Sequence, residues 1–291
     1  MTDEQVVMNF KQWLIEDGKA DATVKSYVND VRKFNEYLNE REVAKGEWMN
    51  RFYFTSYIKH LKAQEVAVNT INKKITSLKV YNDWLFRTLL VKDVYISIKR
   101  DKVKVANGSE DEVSVLNEEE VERFLFHMEK ESQRKRVMGY MLLYTGLRVS
   151  ELVNVRLEDI DNLTGTLRVN GKGGKIREVP LRSDVKEVIH QYIKGERAEG
   201  RFFNSRYLLI SQRAEQLHRD TVRKWLDEVG KHLQFHIHPH MLRHTFCTRL
   251  LKNGVELATV AKLAGHSSVN TTMKHYINIS SVEKKNAVDL L

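Results

Sequence analysis

Leu263-Ala-Gly-His266-Ser-Ser-Val-Asn-Thr-Thr-Met-Lys-His-Tyr276 sets a histidine and a tyrosine ten residues apart, and shortly upstream runs His238-Pro-His240-Met-Leu-Arg243-His-Thr-Phe246. An arginine is a fixed positive fork that matches two phosphate oxygens. A histidine moves protons near neutral pH, and a tyrosine phenol can act as a covalent nucleophile. Together these residues point to phosphoryl transfer through a phosphotyrosine.

Two earlier stretches complete the pattern. Tyr144-Thr-Gly146-Leu-Arg148-Val-Ser-Glu151-Leu152 supplies a second arginine, and Gly171-Lys172-Gly-Gly-Lys175-Ile-Arg-Glu-Val-Pro-Leu181 places a lysine between glycines. In chain order the set is Arg148, Lys172, His240, Arg243, His266 and Tyr276. On these residues the chain resembles the tyrosine recombinases, the phage integrase family, and among them the Xer and transposon-encoded resolvase types. The motif blocks fill roughly the last half, and the first third looks like the family's helical core-binding domain.

The resemblance implies a mainly α fold with a small β-sheet, a SAM-like helical DNA-binding domain preceding an α+β catalytic domain. It implies a site-specific recombinase that cuts and rejoins double-stranded DNA at paired core sites through a 3′-phosphotyrosine and a Holliday junction. A homo-tetramer would carry the exchange, the free protein being a monomer or weak dimer, with accessory DNA-bound proteins or extra copies of the chain as further partners. After Tyr276 comes Ile-Asn, where Xer relatives more often show a small hydroxyl residue and His. A mobile-element role, such as cointegrate resolution or integration and excision, therefore stands beside Xer-type dimer resolution. Type IB topoisomerases, which resemble this active site but relax DNA without pairing sites, are the enzymatic alternative. A DNA-binding protein that kept the fold without the chemistry is the other.

Composition points the same way. A length of 291 residues favours two domains, and a net charge of +9 favours an acidic polymer as partner. Cys247 is the single cysteine, so neither an internal disulfide nor a Cys-rich zinc site can be built. The N-terminus lacks a basic start followed by an apolar core, and no apolar run approaches the ~20 residues that span a bilayer. A cytoplasmic, nucleoid-associated protein without a membrane partner is expected, and the arm-binding domain of large phage integrases is expected to be absent.

Phe10, Trp13 and Leu14 recur at helical spacing, as do Val24, Tyr27, Val31, Phe34 and Leu38, so residues 1–98 read as a helical bundle. Thr70 to Phe86 reads as one of its helices, with Asn69 as N-cap, Ile71, Ile75, Leu78 and Leu85 inward, and Lys73, Lys74 and Lys79 outward. Those lysines serve either a solvated face or DNA phosphates, and Lys175 joins them as a DNA-binding candidate. Residues 99–111 lack an apolar period and read as a linker, with a second domain over 112–291. It opens with Asn117 capping a helix, Glu120 three residues on, and Val121, Phe124, Leu125 and Met128 at helical spacing.

Thr166–Val169 and Ile176–Leu181 flank a glycine-rich turn and predict a hairpin that presents Lys172. The Walker spacing and its hydroxyl residue are missing, which argues against a nucleotide loop. His236, His238 and His240 alternate as metal ligands on a strand would, but Pro239 interrupts them and no acidic or thiol ligand accompanies them. Tyr140 and Tyr144 compete with Tyr276 as nucleophile but lie on the approach to Arg148.

The attacked phosphodiester gains negative charge on its nonbridging oxygens, which assigns Arg148 and Arg243 as the clamp. His240 is expected as general base, Lys172 as general acid for the departing 5′ oxygen, His266 as a hydrogen-bond donor to phosphate, and Tyr276 as nucleophile. Glu151, three residues after Arg148, is expected to orient an arginine or histidine. The phosphotyrosine ester keeps the energy of the broken bond, so no metal, ATP or other cofactor is implied. The Ser280–Leu291 tail, with Val282, Ala287, Val288 and Leu291, is expected to dock on a neighbouring protomer in a cyclic assembly, or else on its own domain.

Overall fold

The computed structural model describes residues 2–43, 47–104, 114–171 and 174–265. The chain divides into two compact units, Met1–Glu110 and Asp111–Leu291. Among the described residues no helix is long and apolar enough to cross a membrane.

The first unit is helical: α1 (Asp3–Glu16), α2 (Asp21–Asn39), α3 (Arg51–Ala63), α4 (Val68–Arg87) and the short α5 (Ile98–Asp101). Its core gathers Phe10, Phe34, Phe54, Ile71, Ile75, Leu78 and Leu85, each at most 1% exposed, so the helical periodicities read from the sequence are the buried faces. The start of α4 differs from expectation. Glu65, at φ 54°, reverses the chain, and the Ala67 carbonyl accepts from Thr70 N and Ile71 N. The helix therefore begins ahead of Asn69, which lies inside its first turn rather than capping it.

Two further expectations are corrected here. Lys74 faces inward: it is 7% exposed, and its Nζ lies 3.3 Å from Asp30 Oδ1. Asp30, itself buried, also accepts from Ser77 Oγ at 2.7 Å and pairs with Lys73 at 2.8 Å. A buried carboxylate needs such partners, so it draws in the lysines of the α4 face turned toward α2. Lys79 is paired with Asp83 one turn on. The start of the segment read as a linker is also folded onto this unit. Asp101 of α5 accepts from Arg51 Nη2 at 2.7 Å and Ser97 N at 2.8 Å, and Val103 exchanges backbone bonds of 2.8 and 3.0 Å with the Asn72 amide. The basic residues around Asp101 concealed that anchor.

The second unit runs α6 (Glu118–Glu129), α7 (Gln133–Thr145), α8 (Val149–Asn154), a short 3-10 turn (Leu157–Asp159), β1 (Ile160–Asp161), β2 (Thr166–Asn170), β3 (Ile176–Pro180), α9 (Ser183–Lys194), α10 (Arg219–Leu233), α11 (Pro239–Lys252) and α12 (Leu257–Ala264). Asn117 and Glu120 form the expected capping box of α6. The sheet is antiparallel in the order β1-β2-β3, β1 being a strand the sequence did not announce. In the hairpin Leu167 faces Val179 and Val169 faces Arg177. Leu167, Val169 and Val179 are buried, so the period of two places Arg177 on the apolar side of the sheet.

Candidate functional site

The C-terminus of α7 sets the site. Gly146 ends that helix in the left-handed region at φ 61°, where a Cβ would stand 2.4 Å from the Phe246 ring of α11. The turn buries Leu147 and leaves Arg148 as the residue before α8. There Arg148 N donates to Glu151 Oε2 at 2.9 Å, and its guanidinium donates from Nη1 to Glu151 Oε1 at 2.8 Å and from Nη2 to Gly265 O at 3.0 Å. Glu151 thus meets Arg148 as a helix-start contact.

Arg243 lies one turn into α11. It is 2% exposed; Nη1 donates to Gly146 O at 2.5 Å, and Nη2 has no hydrogen-bond partner among the described residues. Glu151 Oε2 stands 4.0 Å from Nη1. Burial, and after it the Arg148 charge, presses the Arg243 pKa down to about 10. A buried cation without a close counter-ion is costly, and such groups cluster where an anion is to be received.

His240 occupies the first turn of α11, which His238 caps by accepting from Met241 N at 3.3 Å, with Pro239 next. That cap shows the alternating histidines to be a helix start rather than a strand. Desolvation first, then the charges of Arg243, Arg148 and Arg223, hold the His240 pKa below its ordinary value, so its imidazole is neutral and able to accept a proton at neutral pH. Among the described residues no three His, Cys, Asp or Glu side chains gather as a metal site would require.

Arg177 belongs to this cluster, although sequence reading gave it no role. Its Nη1 and Nη2 donate to Glu151 Oε1 and Oε2 at 3.1 and 2.8 Å, and its Nε donates to Leu263 O at 2.8 Å. Glu151, 7% exposed, would have its pKa raised by burial, but Arg177 and then Arg148 outweigh that and hold it below the usual carboxylate range. The signal that could have found Arg177 is its inward place in the alternation Arg177, Val179, Leu181.

The structure thus brings Arg148, Glu151, His240 and Arg243 together. Lys172, His266 and Tyr276, with the Ser280–Leu291 tail, lie outside the described residues; Gly171 and Gly265 border two of them. Lys175 is exposed on the hairpin. Tyr144 packs under the Arg182 guanidinium, 4.2 Å from its ring centroid, and 5.8 Å from the Tyr140 ring.

A sequence profile described as the phage integrase family matches residues 114–282, and one described as the phage integrase N-terminal SAM-like domain matches residues 7–88. The chain is 31% identical to a TnP I resolvase of Bacillus thuringiensis, over 98% of this chain and 99% of that one. It is 32% identical to the tyrosine recombinase XerC of Staphylococcus epidermidis, over 92% and 90% of the two chains. Among solved structures, the XerH site-specific recombinase bound to palindromic difH substrate aligns at TM-score 0.75 and 20% identity, covering 93% of this chain and 80% of that one.

Proposed function

The chain belongs to the phage integrase family of tyrosine recombinases, and from that premise we propose that its site-specific recombination proceeds through the cluster around Glu151. The observation that carries the reading is Arg243 Nη2, a donor on a buried cation with no hydrogen-bond partner among the described residues. A nonbridging phosphate oxygen supplies the missing acceptor, and Arg148, with about a third of its side chain exposed, supplies the second arm of the clamp.

The Tyr276 phenol attacks phosphorus in line, its proton passing to neutral His240. The bond to the 5′ oxygen breaks as Lys172 protonates it, giving a 3′-phosphotyrosine and a free 5′ hydroxyl. His266 donates a hydrogen bond to a nonbridging oxygen. The reverse step, with an incoming 5′ hydroxyl, rejoins DNA, so the bond energy is conserved and no cofactor is consumed.

The substrate is double-stranded DNA with paired core sites, which a tetramer of this chain exchanges through a Holliday junction in the bacterial cytoplasm. Residues 1–98 serve as the core-binding domain and residues 112–291 as the catalytic domain, whose C-terminal tail docks on a neighbouring protomer. Similarity along the full length to a TnP I resolvase supports a mobile-element role. The test is supercoiled plasmid carrying the DNA that flanks the gene, mixed with wild-type or Tyr276→Phe protein and quenched with detergent. Covalent attachment at a 3′ end by wild type alone supports the reading; DNA binding without attachment by either protein refutes it.

A further inference from the structure

We infer that Arg177 is a positioning residue that takes up both Glu151 oxygens, so that Arg148 gives the carboxylate one guanidinium bond rather than a fork and keeps its remaining N–H groups for phosphate, and that ties the hairpin strand to the turn ahead of His266. The inference rests on the recombinase reading of Arg148. Four contacts close a ring. Arg177 forks both Glu151 oxygens, Glu151 accepts from Arg148 Nη1, Arg148 Nη2 donates to Gly265 O, and Gly265 packs on Arg177.

The last contact is tight. A Cβ at Gly265, which sits at φ 66°, would lie 2.8 Å from Arg177 Nη1 and 3.0 Å from its Cζ. The backbone just before His266 is therefore laid against the guanidinium, and Arg177 Nε fixes the same segment through Leu263 O. On the other side, the Cβ direction of Gly171, next to Lys172, points 3.8 Å from Arg177 Nη1 and 4.0 Å from Glu151 Oε1. One side chain thus lies against the backbone bordering His266 and on the carboxylate that holds Arg148, with the open face of Gly171, which borders Lys172, turned toward it.

The electrostatic consequence follows from donor counting. A carboxylate binds one guanidinium best as a two-bond fork, and Arg177 occupies that arrangement. Arg148 is left with a single Nη1 bond to Oε1, and its Nη2 turns to a neutral carbonyl. Without Arg177, Glu151 would be a buried anion whose nearest remedy is Arg148, and a fork–fork pair there would withdraw the clamp from DNA. A merely structural ion pair would lower stability without this specific trapping, and removing the Glu151 charge would not repair it.

The test compares Arg177→Met, Arg177→Lys, Glu151→Gln and the Arg177→Met/Glu151→Gln pair in the full chain. The first readout is the single-turnover rate of covalent attachment to the flanking-DNA plasmid, beside equilibrium DNA affinity. Arg177→Met is expected to slow attachment about 10- to 100-fold, the usual scale for losing a supporting partner, with affinity changed less than about 2-fold. Adding Glu151→Gln is expected to recover about 10-fold of that loss, because the trapped anion is gone. Arg177→Lys, which keeps the charge but loses the two-nitrogen fork, is expected to fall between, and it carries the comparison should the Met variant not fold. Additive losses in the double variant, a wild-type rate in Arg177→Lys and Arg177→Met, or equal losses of affinity and rate would overturn the inference.

A second readout separates this inference from the recombinase reading. Inorganic phosphate is titrated against the His240 ring signals by NMR; weaker binding in Arg177→Met, restored in the double variant, supports positioning whether or not DNA is cut. Wild type that binds phosphate in this pattern but never attaches to DNA overturns the recombinase reading alone. Unaltered phosphate binding and attachment in Arg177→Met overturn positioning alone.

Discussion

Replacing Arg243 with Met distinguishes an arginine kept for an anion from one kept for the fold. The side chain is 2% exposed, and among the described residues it meets Gly146 O at 2.5 Å and Glu151 at 4.0 Å. Burial first, then the Arg148 charge, presses its pKa down to about 10, so at about 1.4 kcal/mol per unit holding this cation costs the free protein roughly a few kcal/mol. Methionine, unbranched and of similar reach, removes that cost while leaving the Gly146 carbonyl unanswered, a loss of about 1–3 kcal/mol. The two nearly cancel, so stability of the second unit should move by less than about 2 kcal/mol either way, or about 6 °C in Tm. Removing one partner of a structural buried pair instead costs about 3–5 kcal/mol, or about 9–15 °C. Calorimetry of the full chain reads the transition of that unit, and covalent attachment to the flanking-DNA plasmid reads the chemistry, which should fall about 100- to 1000-fold. A Tm drop beyond about 10 °C, with attachment lost only in proportion to the unfolded fraction, would refute the argument.

Gly146→Ala should fail on two counts, since a left-handed non-glycine residue costs about 1–2 kcal/mol and its Cβ meets the Phe246 ring at 2.4 Å, an overpacking cost of about 1–3 kcal/mol. Thermal unfolding and attachment should both suffer, and an unchanged Tm would contradict the geometry. Asp30→Asn leaves Lys74 buried without its anion and should destabilise the first unit by about 3–5 kcal/mol in urea titration; a change under about 1 kcal/mol would show the cluster to be solvated. Glu151 has a folded pKa below the usual 4.5, so its contribution is present above that value and is lost as pH falls through the lower folded pKa. Glu151→Gln should remove this share of the acid-side fall in stability, and identical slopes below pH 4.5 in both proteins would contradict it.

Helix faces were legible because burial follows period: Ile71, Ile75 and Leu78 needed only their spacing. The start of α4 was not, because an Asn ahead of an apolar run looks like a cap, whereas the reversal at Glu65 decides where the helix begins. Lys74 misled for a related reason. Its partner Asp30 lies 44 residues away on another helix, and no local pattern announces a buried ion pair. In the site, Arg148, His240 and Arg243 could be read because their motif blocks are local in sequence. Arg177 escaped notice because its partners come from α8 and α12, and only its inward register on β3 betrays it.

The charge balance of the cluster indicates what it is built to hold. Among the described residues, Arg148, Arg177 and Arg243 surround the carboxylate of Glu151, so three cations against one anion leave two positive charges. A phosphodiester in its ground state carries one negative charge, and the pentavalent arrangement reached by an attacking phenolate carries two. The site is therefore closer to neutral with the transition state bound than with the substrate, which is the condition for raising rate rather than merely tightening binding. In the proposed mechanism Glu151 tunes that excess. Its neutralisation, as in Glu151→Gln, would raise the cluster to three positive charges and strengthen binding of the ground-state diester along with everything else. DNA affinity should then rise while attachment slows, because Arg148 loses the contact that aims it. A variant with weaker affinity and an unchanged rate would show that charge matching at Glu151 is not what the cluster uses.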